Sequence, residues 1–191
     1  MTAPIRRAVE ILLLRQSTGL GSRFRVLFYR ALGMKIGRSC RLEKIRIRRA
    51  MQIEIGDENA LTQGCWLWPV DADLAGVRIK IGSGNYFNRD VMIDACNYVQ
   101  IGSGNMFGPG VYITDSNHVV SPNQPVIGGH MNLGTVSIGD GCWIGAKAVI
   151  LKDVQLGDRC VVGAGAVVTR SFPADSVVVG VPARLKGTPV A

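Results

Sequence analysis

A six-residue spacing of aliphatic side chains is the feature that most constrains this sequence. Between residues 138 and 168 an aliphatic residue returns at every sixth position: Ile138, Ile144, Ile150, Leu156, Val162 and Val168. Neither the period of an α-helix nor the alternation of an ordinary strand produces this spacing. A triangular coil does, because three short strands joined by three corners bring the chain back above its start.

The fifth position of the hexads supports the same interpretation, because it holds small residues, thiols or amides. These are Cys40, Asn59, Cys65, Asn85, Val91, Asn105, Val111, Cys142, Ala148, Val154, Cys160 and Ala166. Four of the five cysteines fall on this position, so we expect reduced, buried thiols rather than a disulfide framework.

The repeat therefore predicts an all-β fold in which stacked coils form a parallel β-helix over residues 34–186. Coils of this kind pair strand over strand and bury one continuous apolar column. A basic helical segment over residues 1–33 and a short tail over residues 187–191 flank the repeats. The competing interpretation is a β-sandwich whose spacing is coincidental.

Positive charge is concentrated at the N-terminal end. Residues 1–50 hold 13 Lys and Arg against two acids, a local net charge of +11, whereas the remaining 141 residues have a net charge of −3. Residues 22–32 have a helical pattern, with Ser22 as a candidate cap and Gly33 suited to the end. The predicted apolar face contains Phe24, Leu27, Phe28, Ala31 and Leu32. Residues 5–16 are a weaker helix candidate.

Two roles are open for these basic helices. They can cover the exposed strand edge at the end of the β-helix, or they can in addition contact an anionic membrane surface. No readout motif or stacking platform accompanies the charge, so we expect no nucleic-acid partner. Neither a bilayer-spanning run nor a convincing export signal is present, which favours a cytoplasmic protein, at most at the inner face of the membrane.

One large interruption of the repeat, over residues 114–137, is the natural place for chemistry, because loops on a rigid scaffold commonly carry function. His118 lies at its root, and an imidazole can accept a proton at neutral pH. Asp115 is near enough in sequence to orient that ring. The alternative is a loop histidine that only bonds a backbone carbonyl. The sequence contains only one other histidine, His130, so we expect no metal site.

In residues 33–186, and above all in the run 138–168, the sequence resembles the hexapeptide-repeat acyltransferases, whose coils wind left-handed. The Asp-x-x-His form of Asp115 and His118 resembles the branch that acetylates sugars and polysaccharides. The resemblance implies acetyl-CoA as co-substrate and His118 as general base in direct attack on the thioester. The implied acceptor is a hydroxyl of a small-molecule or lipid-linked sugar. Members are typically homotrimers with a cofactor groove between neighbouring prisms.

Several further positions match those of the family. Asn88 and Asp94 match acceptor contacts, although a corner amide and a solvated turn acid are equally natural interpretations. The matches on the coenzyme side are Trp143, Gly145, Ala146, Gly163, Ala164, Thr169, Arg170 and Arg184. Within this set, the amide of Gly145 or Ala146 would bind the oxyanion, and the two arginines would bind phosphates.

Each of these matches has a structural alternative. Trp143 can pack between subunits, the small residues can be what a tight coil requires, and Arg184 can face solvent. His130 departs from the uncharged polar residue usual at its place, and it ranks behind His118 as a base. The competing function is a catalytically inactive β-helix that serves as a scaffold or binding module.

Overall fold

The computed structural model describes residues 19–70, 76–120 and 131–188. Four regular coils come first: β1 (Lys35–Ile36), β2 (Arg41–Leu42), β3 (Arg46–Ile47); β4 (Ile53–Ile55), β5 (Ala60–Leu61), β6 (Trp66–Pro69); β7 (Ile79–Ile81), β8 (Tyr86–Phe87), β9 (Met92–Ala95); β10 (Tyr98–Ile101), β11 (Met106–Phe107), β12 (Tyr112–Thr114). A hairpin of β13 (Ser116–His118) and β14 (Met131–Leu133) follows. The remaining strands are β15 (Thr135–Ile138), β16 (Trp143–Ile144), β17 (Val149–Ile150), β18 (Gln155–Leu156), β19 (Val161–Val162), β20 (Val167–Val168), β21 (Val177–Val179) and β22 (Arg184–Gly187).

Successive strands pass to successive sheets, and the fourth strand pairs with the first. Sheet I has the order β1-β4-β7-β10-β15-β18 and sheet II the order β2-β5-β8-β11-β16-β19-β21-β22. Sheet III has the order β20-β17-β12-β9-β6-β3. The pairing is parallel throughout the coils, and β22 closes sheet II antiparallel to β21. The chain forms a left-handed parallel β-helix, which confirms the predicted fold.

The aliphatic positions of the repeat form the core of the prism. In sheet III, for example, strand register places Ile93, Ile113, Ile150 and Val168 in one inward column. All four are 0% exposed. In sheet II the rings of Phe87 and Phe107 lie parallel in the same kind of column, with centroids 4.5 Å apart. The six-residue spacing thus places an apolar side chain of each coil strand inside the prism, and longer strands such as β7 and β10 place two.

The asparagines at fifth positions of the hexads form buried polar contacts at the corners. Where the chain passes from sheet I to sheet II, the side-chain oxygen of Asn85 accepts from the Asn105 backbone N–H, and that of Asn105 accepts from Cys142 N–H. Cys40, Cys142 and Cys160 belong to this edge, whereas Cys65 lies at the edge between sheets II and III. The four cysteines therefore share a hexad position but occupy two edges, and all five are free thiols.

The N-terminal helix α1 (Leu20–Ala31) packs against β1 and β2. Its buried residues are Ser22 and Val26, whereas Phe24, Leu27 and Phe28 are between 59% and 70% exposed. The predicted apolar face therefore points away from the prism. Gly19 rather than Ser22 precedes the first turn, and the Ser22 hydroxyl oxygen instead accepts from the Leu42 backbone N–H at 2.9 Å. The helix candidate over residues 5–16 lies outside the described residues.

The two longest departures from the regular coil lie at the edge between sheets III and I, where a short 3-10 helix (Ala50–Gln52) also joins β3 to β4. One is the predicted interruption, from which the β13–β14 hairpin projects. The other joins β6, which ends at Pro69, to β7 and was missed, because Pro69 and Gly76 are ordinary corner residues in a Gly-rich sequence. The same edge of the prism therefore carries both departures.

Candidate active site

A groove of about 450 Å³ lies on the outer face of sheet II. Strands β8, β11, β16 and β19 supply its wall, and Trp143 on β16 is 57% exposed within it. The groove brings together six of the predicted site residues: Asn88, Trp143, Gly145, Ala146, Gly163 and Ala164. Five of them were predicted for coenzyme and one, Asn88, for acceptor.

The glycines of the groove are required by the approach of neighbouring coils. A Cβ on Gly145 would lie 2.5 Å from the backbone nitrogen of Ala164, which is closer than real contacts allow. The Gly145 N–H is itself occupied, because it donates to the Val162 carbonyl at 2.7 Å. No hydrogen bond from the backbone N–H of Ala146 or Ala164 occurs within the described part of the chain. Of the two predicted oxyanion donors, Ala146 is therefore the one with a free N–H.

His118 lies on a different edge of the prism. It is the last residue of β13, it is paired in register with Met131 of β14, and it is exposed. Its side chain makes no hydrogen bond to any residue that the structure describes. The strand before the hairpin, β12, belongs to sheet III, whereas the groove lies on sheet II. Within a single chain, the His118 imidazole and the groove are therefore on different sides of the prism. His130 lies outside the described residues.

Asp115 lies at the base of the same hairpin and is 0% exposed. Its carboxylate accepts from the backbone N–H groups of Cys96 and Asn97, each at 2.8 Å. Burial raises the pKa of Asp115, and these backbone bonds act in the opposite direction. Its carbonyl accepts from Gly134 N–H at 2.7 Å, which joins the two ends of the interruption. Asp115 thus holds the hairpin to the preceding coil, and the described contacts do not include the His118 ring.

Asp94 projects from the outer face of sheet III, in register with Thr114. Its Oδ2 accepts from the Tyr112 hydroxyl at 2.8 Å, whereas its Oδ1 is buried without a hydrogen-bond partner. Burial raises the pKa of Asp94, and the nearby charge of Asp115 adds to the effect. Burial and the Asp94 carboxylate together raise the pKa of Tyr112 to about 12. One carboxylate oxygen of Asp94 is therefore enclosed without a hydrogen-bond donor among the described residues.

Comparison with known proteins identifies the repeat. Residues 135–170 match the bacterial transferase hexapeptide family, described as six repeats. The coils from β15 to β20 therefore match transferase hexapeptide repeats. No curated protein sequence matches the chain.

Solved structures share the hexapeptide-repeat fold over most of their length. An N-acyltransferase from Bacillus cereus, AntD, in complex with dTDP and coenzyme A, has a TM-score of 0.72 at 20% identity, covering 85% of this chain and 88% of its own. An acetyltransferase from Vibrio cholerae O1 biovar eltor, complexed with acetyl coenzyme A, has a TM-score of 0.62 at 23% identity, covering 96% and 83%. A maltose O-acetyltransferase from Clostridium difficile 630 has a TM-score of 0.56 at 25% identity, covering 87% and 75%.

Three of the predicted coenzyme residues, Thr169, Arg170 and Arg184, do not line the groove. Thr169 and Arg170 follow β20 and therefore lie at the edge between sheets III and I, where the Arg170 guanidinium stacks over the Phe172 ring at 5.1 Å. Arg184 is the first residue of β22 on sheet II, and its Nη1 donates to the Ala183 carbonyl at 2.9 Å. All three are exposed, and their coenzyme role stays a prediction.

Tyr112 was missed at the sequence level, although a signal for it exists. It is the residue immediately before an inward-facing Ile113, a position whose side chain faces outward on a strand. The same outward positions beside Leu67 hold Trp66 and Trp68. Aromatic residues flanking an inward position therefore mark the outer surface of sheet III.

Replacing Asp115 tests its structural role. Asp115→Ala leaves two buried backbone N–H groups without an acceptor, so we expect the free energy of unfolding to fall by about 3 kcal/mol. Asp115→Asn retains one side-chain oxygen as an acceptor, so its free energy of unfolding should fall by less than that of Asp115→Ala. Urea denaturation measures both changes. A stability of Asp115→Ala equal to that of the unsubstituted protein would contradict this role.

Proposed function

We propose that this chain is an acetyl-CoA-dependent O-acetyltransferase that acts on a hydroxyl of a sugar or polysaccharide precursor. The observation that carries the proposal is the groove on sheet II, where Trp143 flanks two unbonded backbone N–H groups, those of Ala146 and Ala164. Closely spaced coils with small residues allow a thin ligand such as a pantetheine arm to lie against the backbone. Proteins with the same fold bind coenzyme A or acetyl coenzyme A. Maltose O-acetyltransferase, at 25% identity, supports the sugar acceptor.

In the proposed reaction His118 is the general base. Its imidazole takes the proton of the acceptor hydroxyl as that oxygen attacks the thioester carbonyl carbon. The Ala146 N–H stabilises the negative charge that develops on the carbonyl oxygen. The tetrahedral intermediate then collapses, the carbon–sulfur bond breaks, and the imidazolium returns its proton to the departing thiolate. No covalent enzyme intermediate is needed, in keeping with the cysteines, four of which are buried and the fifth partly so.

Asp94 and Asp115 have different roles in this proposal. Asp94, on the outer face of sheet III, is the proposed acceptor contact, and its bond from Tyr112 fixes the carboxylate. Asp115 is a positioning residue, because it fixes the hairpin that ends in His118 through backbone contacts. Asn88, which lines the groove, would meet the acceptor from the coenzyme side. Arg170 and Arg184 would bind coenzyme phosphates.

We also propose that the functional unit is a homotrimer. His118 lies at the edge between sheets III and I, whereas the groove lies on sheet II, so no single chain brings the base to the thioester site. A symmetric ring brings the hairpin of one copy to the groove of the next. The exposed apolar side chains Met106 (55%) and Trp143 (57%) on sheet II fit such an interface.

Replacing His118 tests both the base and the shared site. His118→Ala should lower acetyl transfer by at least ~100-fold, because a positioned general base contributes about that much. Turnover is followed as thiol released from acetyl-CoA with a panel of saccharide acceptors, and products are checked by mass. Coenzyme A binding and the melting temperature, which serve as controls, should be unchanged. Retention of most activity would reject the base, and absence of any transfer by the unsubstituted protein would favour the inactive scaffold.

A mixing experiment then locates the two halves of the site. Ala164→Trp fills the groove and should also be inactive alone. When it is refolded or co-expressed with His118→Ala in equal amounts, about a quarter of all sites, roughly one of the three in each mixed trimer, have an intact base facing an intact groove. We therefore expect about a quarter of the activity of the unsubstituted protein to return. No recovery from mixed trimers would place base and groove in the same chain.

The N-terminal end supports a cytoplasmic location at the inner face of a membrane, which we propose as the setting of the reaction. Phe24, Leu27 and Phe28 form an exposed apolar face on α1. A cavity of about 920 Å³ between α1 and the first coil is lined by Arg23, Arg30, Arg38 and Arg41. Apolar side chains next to clustered arginines complement an anionic lipid surface. Among the described residues, no helix is long and apolar enough to cross a membrane.

Vesicle sedimentation of the full chain tests this setting. We expect binding to vesicles that contain phosphatidylglycerol and none to pure phosphatidylcholine. Phe24→Ser with Phe28→Ser should weaken binding by at least ~10-fold, because two apolar side chains no longer enter the interface. Leu185→Ser is the matched control, since Leu185 is 57% exposed at the opposite end of sheet II. Equal binding of the two variants, or no binding by the unsubstituted protein, would contradict the proposal.

A further inference from the structure

The outer face of sheet III carries two arginine–tryptophan pairs near the N-terminal end of the prism. The Arg46 guanidinium lies over the Trp66 ring at 4.4 Å, and the Arg48 guanidinium lies over the Trp68 ring at 5.5 Å. The two indoles contact each other, with ring centroids 5.3 Å apart. We call these four residues the Arg–Trp platform.

Neither guanidinium of the platform has an acidic partner within residues 19–70, 76–120 and 131–188. Two other cations of the N-terminal half differ in this respect, since Arg38 pairs with Asp57 and Arg30 donates to the Ile36 and Gly37 carbonyls. Stacking on an indole restricts a guanidinium while leaving its N–H groups free at the rim of the plane. The platform therefore holds two positive charges in place without neutralising them.

The platform is continuous with the proposed acceptor residues. Trp68 is paired in register with Asp94, and Trp66 is paired with Met92, which in turn pairs with Tyr112. Neighbouring strands are ~4.8 Å apart, so Arg48 lies about two strand spacings, or ~10 Å, from Asp94 along the same face. Asp94 and the two arginines thus lie at the two ends of one row of outward-facing residues, with the indole rings between them.

We infer that the Arg–Trp platform binds a phosphoryl group of the acceptor, so that the acceptor is a sugar phosphate rather than a neutral sugar. Together with Asp94, the platform has the order of groups that a sugar phosphate requires: a carboxylate beside the sugar hydroxyls, indole edges for the apolar side of the ring, and paired guanidinium groups for the anion. Two neighbouring arginines suit a doubly charged phosphoryl or diphosphoryl group better than a single carboxylate. The inference rests on the proposed function, because only the proposed acetyl transfer places the sugar hydroxyl at Asp94 and hence the phosphate at the platform.

Binding can be measured without any acetyl transfer, so failure of this inference is distinguishable from failure of the proposed reaction. The sequence has three tryptophans, and Trp143→Phe leaves only the two of the platform as fluorophores. In that background, titration with glucose 1-phosphate should change the tryptophan emission in a saturable way. Methyl glucoside, which lacks the phosphate, should not. A response to methyl glucoside equal to that of glucose 1-phosphate would overturn the inference.

Charge-matched variants separate the platform from general electrostatics. Arg46→Gln with Arg48→Gln should weaken binding of glucose 1-phosphate by at least ~10-fold, the loss expected for a charge-assisted hydrogen bond. The control is Arg41→Gln with Lys35→Gln, which removes the same charge from the same coil on sheets II and I. Equal weakening by the two pairs would overturn the inference.

Two further measurements keep the test sharp. If the glutamine pair lowers the melting temperature, Arg46→Lys with Arg48→Lys is the second variant, because it keeps both charges but loses the planar guanidinium groups. It should bind glucose 1-phosphate several-fold more weakly than the unsubstituted protein does. UDP-glucose and farnesyl diphosphate then distinguish the source of the phosphate. Tighter binding of the first points to a nucleotide sugar, and tighter binding of the second points to a lipid-linked one. Absence of binding for all three phosphorylated probes would overturn the inference.

Discussion

Strand-on-strand stacking is the interaction on which the rest of this molecule depends. Every strand inside a sheet hydrogen-bonds to the strands of the coils above and below it, so each coil must repeat the path of its neighbours. This repetition keeps the inward columns aligned, as from Ile93 through Ile113 and Ile150 to Val168. It also brings corners so close that Gly145 has no room for a side chain. Burial of the columns supplies the driving force, and the hydrogen bonds fix the register.

The outer surface follows from the same constraint. Because side chains alternate across a strand, each inward position is flanked by outward ones that also stack in columns. On sheet II these columns and the small corner residues produce the groove beside Trp143. On sheet III they produce the row from Arg46 through Trp66 and Met92 to Tyr112. The two long connections between coils lie at one edge, where Asp115 holds the β13–β14 hairpin to the coil below.

The candidate site was predictable to different degrees from residue to residue. Trp143, Gly145 and Ala146 could be matched because they belong to the regular repeat, whose position in sequence determines position in space. The choice of Ala146 over Gly145 as a donor could not be predicted, since it depends on which N–H the next coil occupies. The role of Asp115 was equally inaccessible. Its spacing from His118 suggests a catalytic pair, but its partners Cys96 and Asn97 come from the preceding coil.

The sequence by itself determined the architecture, because aliphatic residues at every sixth position can all face inward in a β-helix of triangular coils. It also located the interruption around His118 and the positive charge of residues 1–50. Only the tertiary structure decided which surface each residue occupies. The helix α1 packs through Ser22 and Val26 rather than through its more apolar face, and His118 and the groove lie on different edges of the prism. The reason is physical: periodicity fixes which side chains face inward, whereas contacts across coils and edges join residues far apart in the chain.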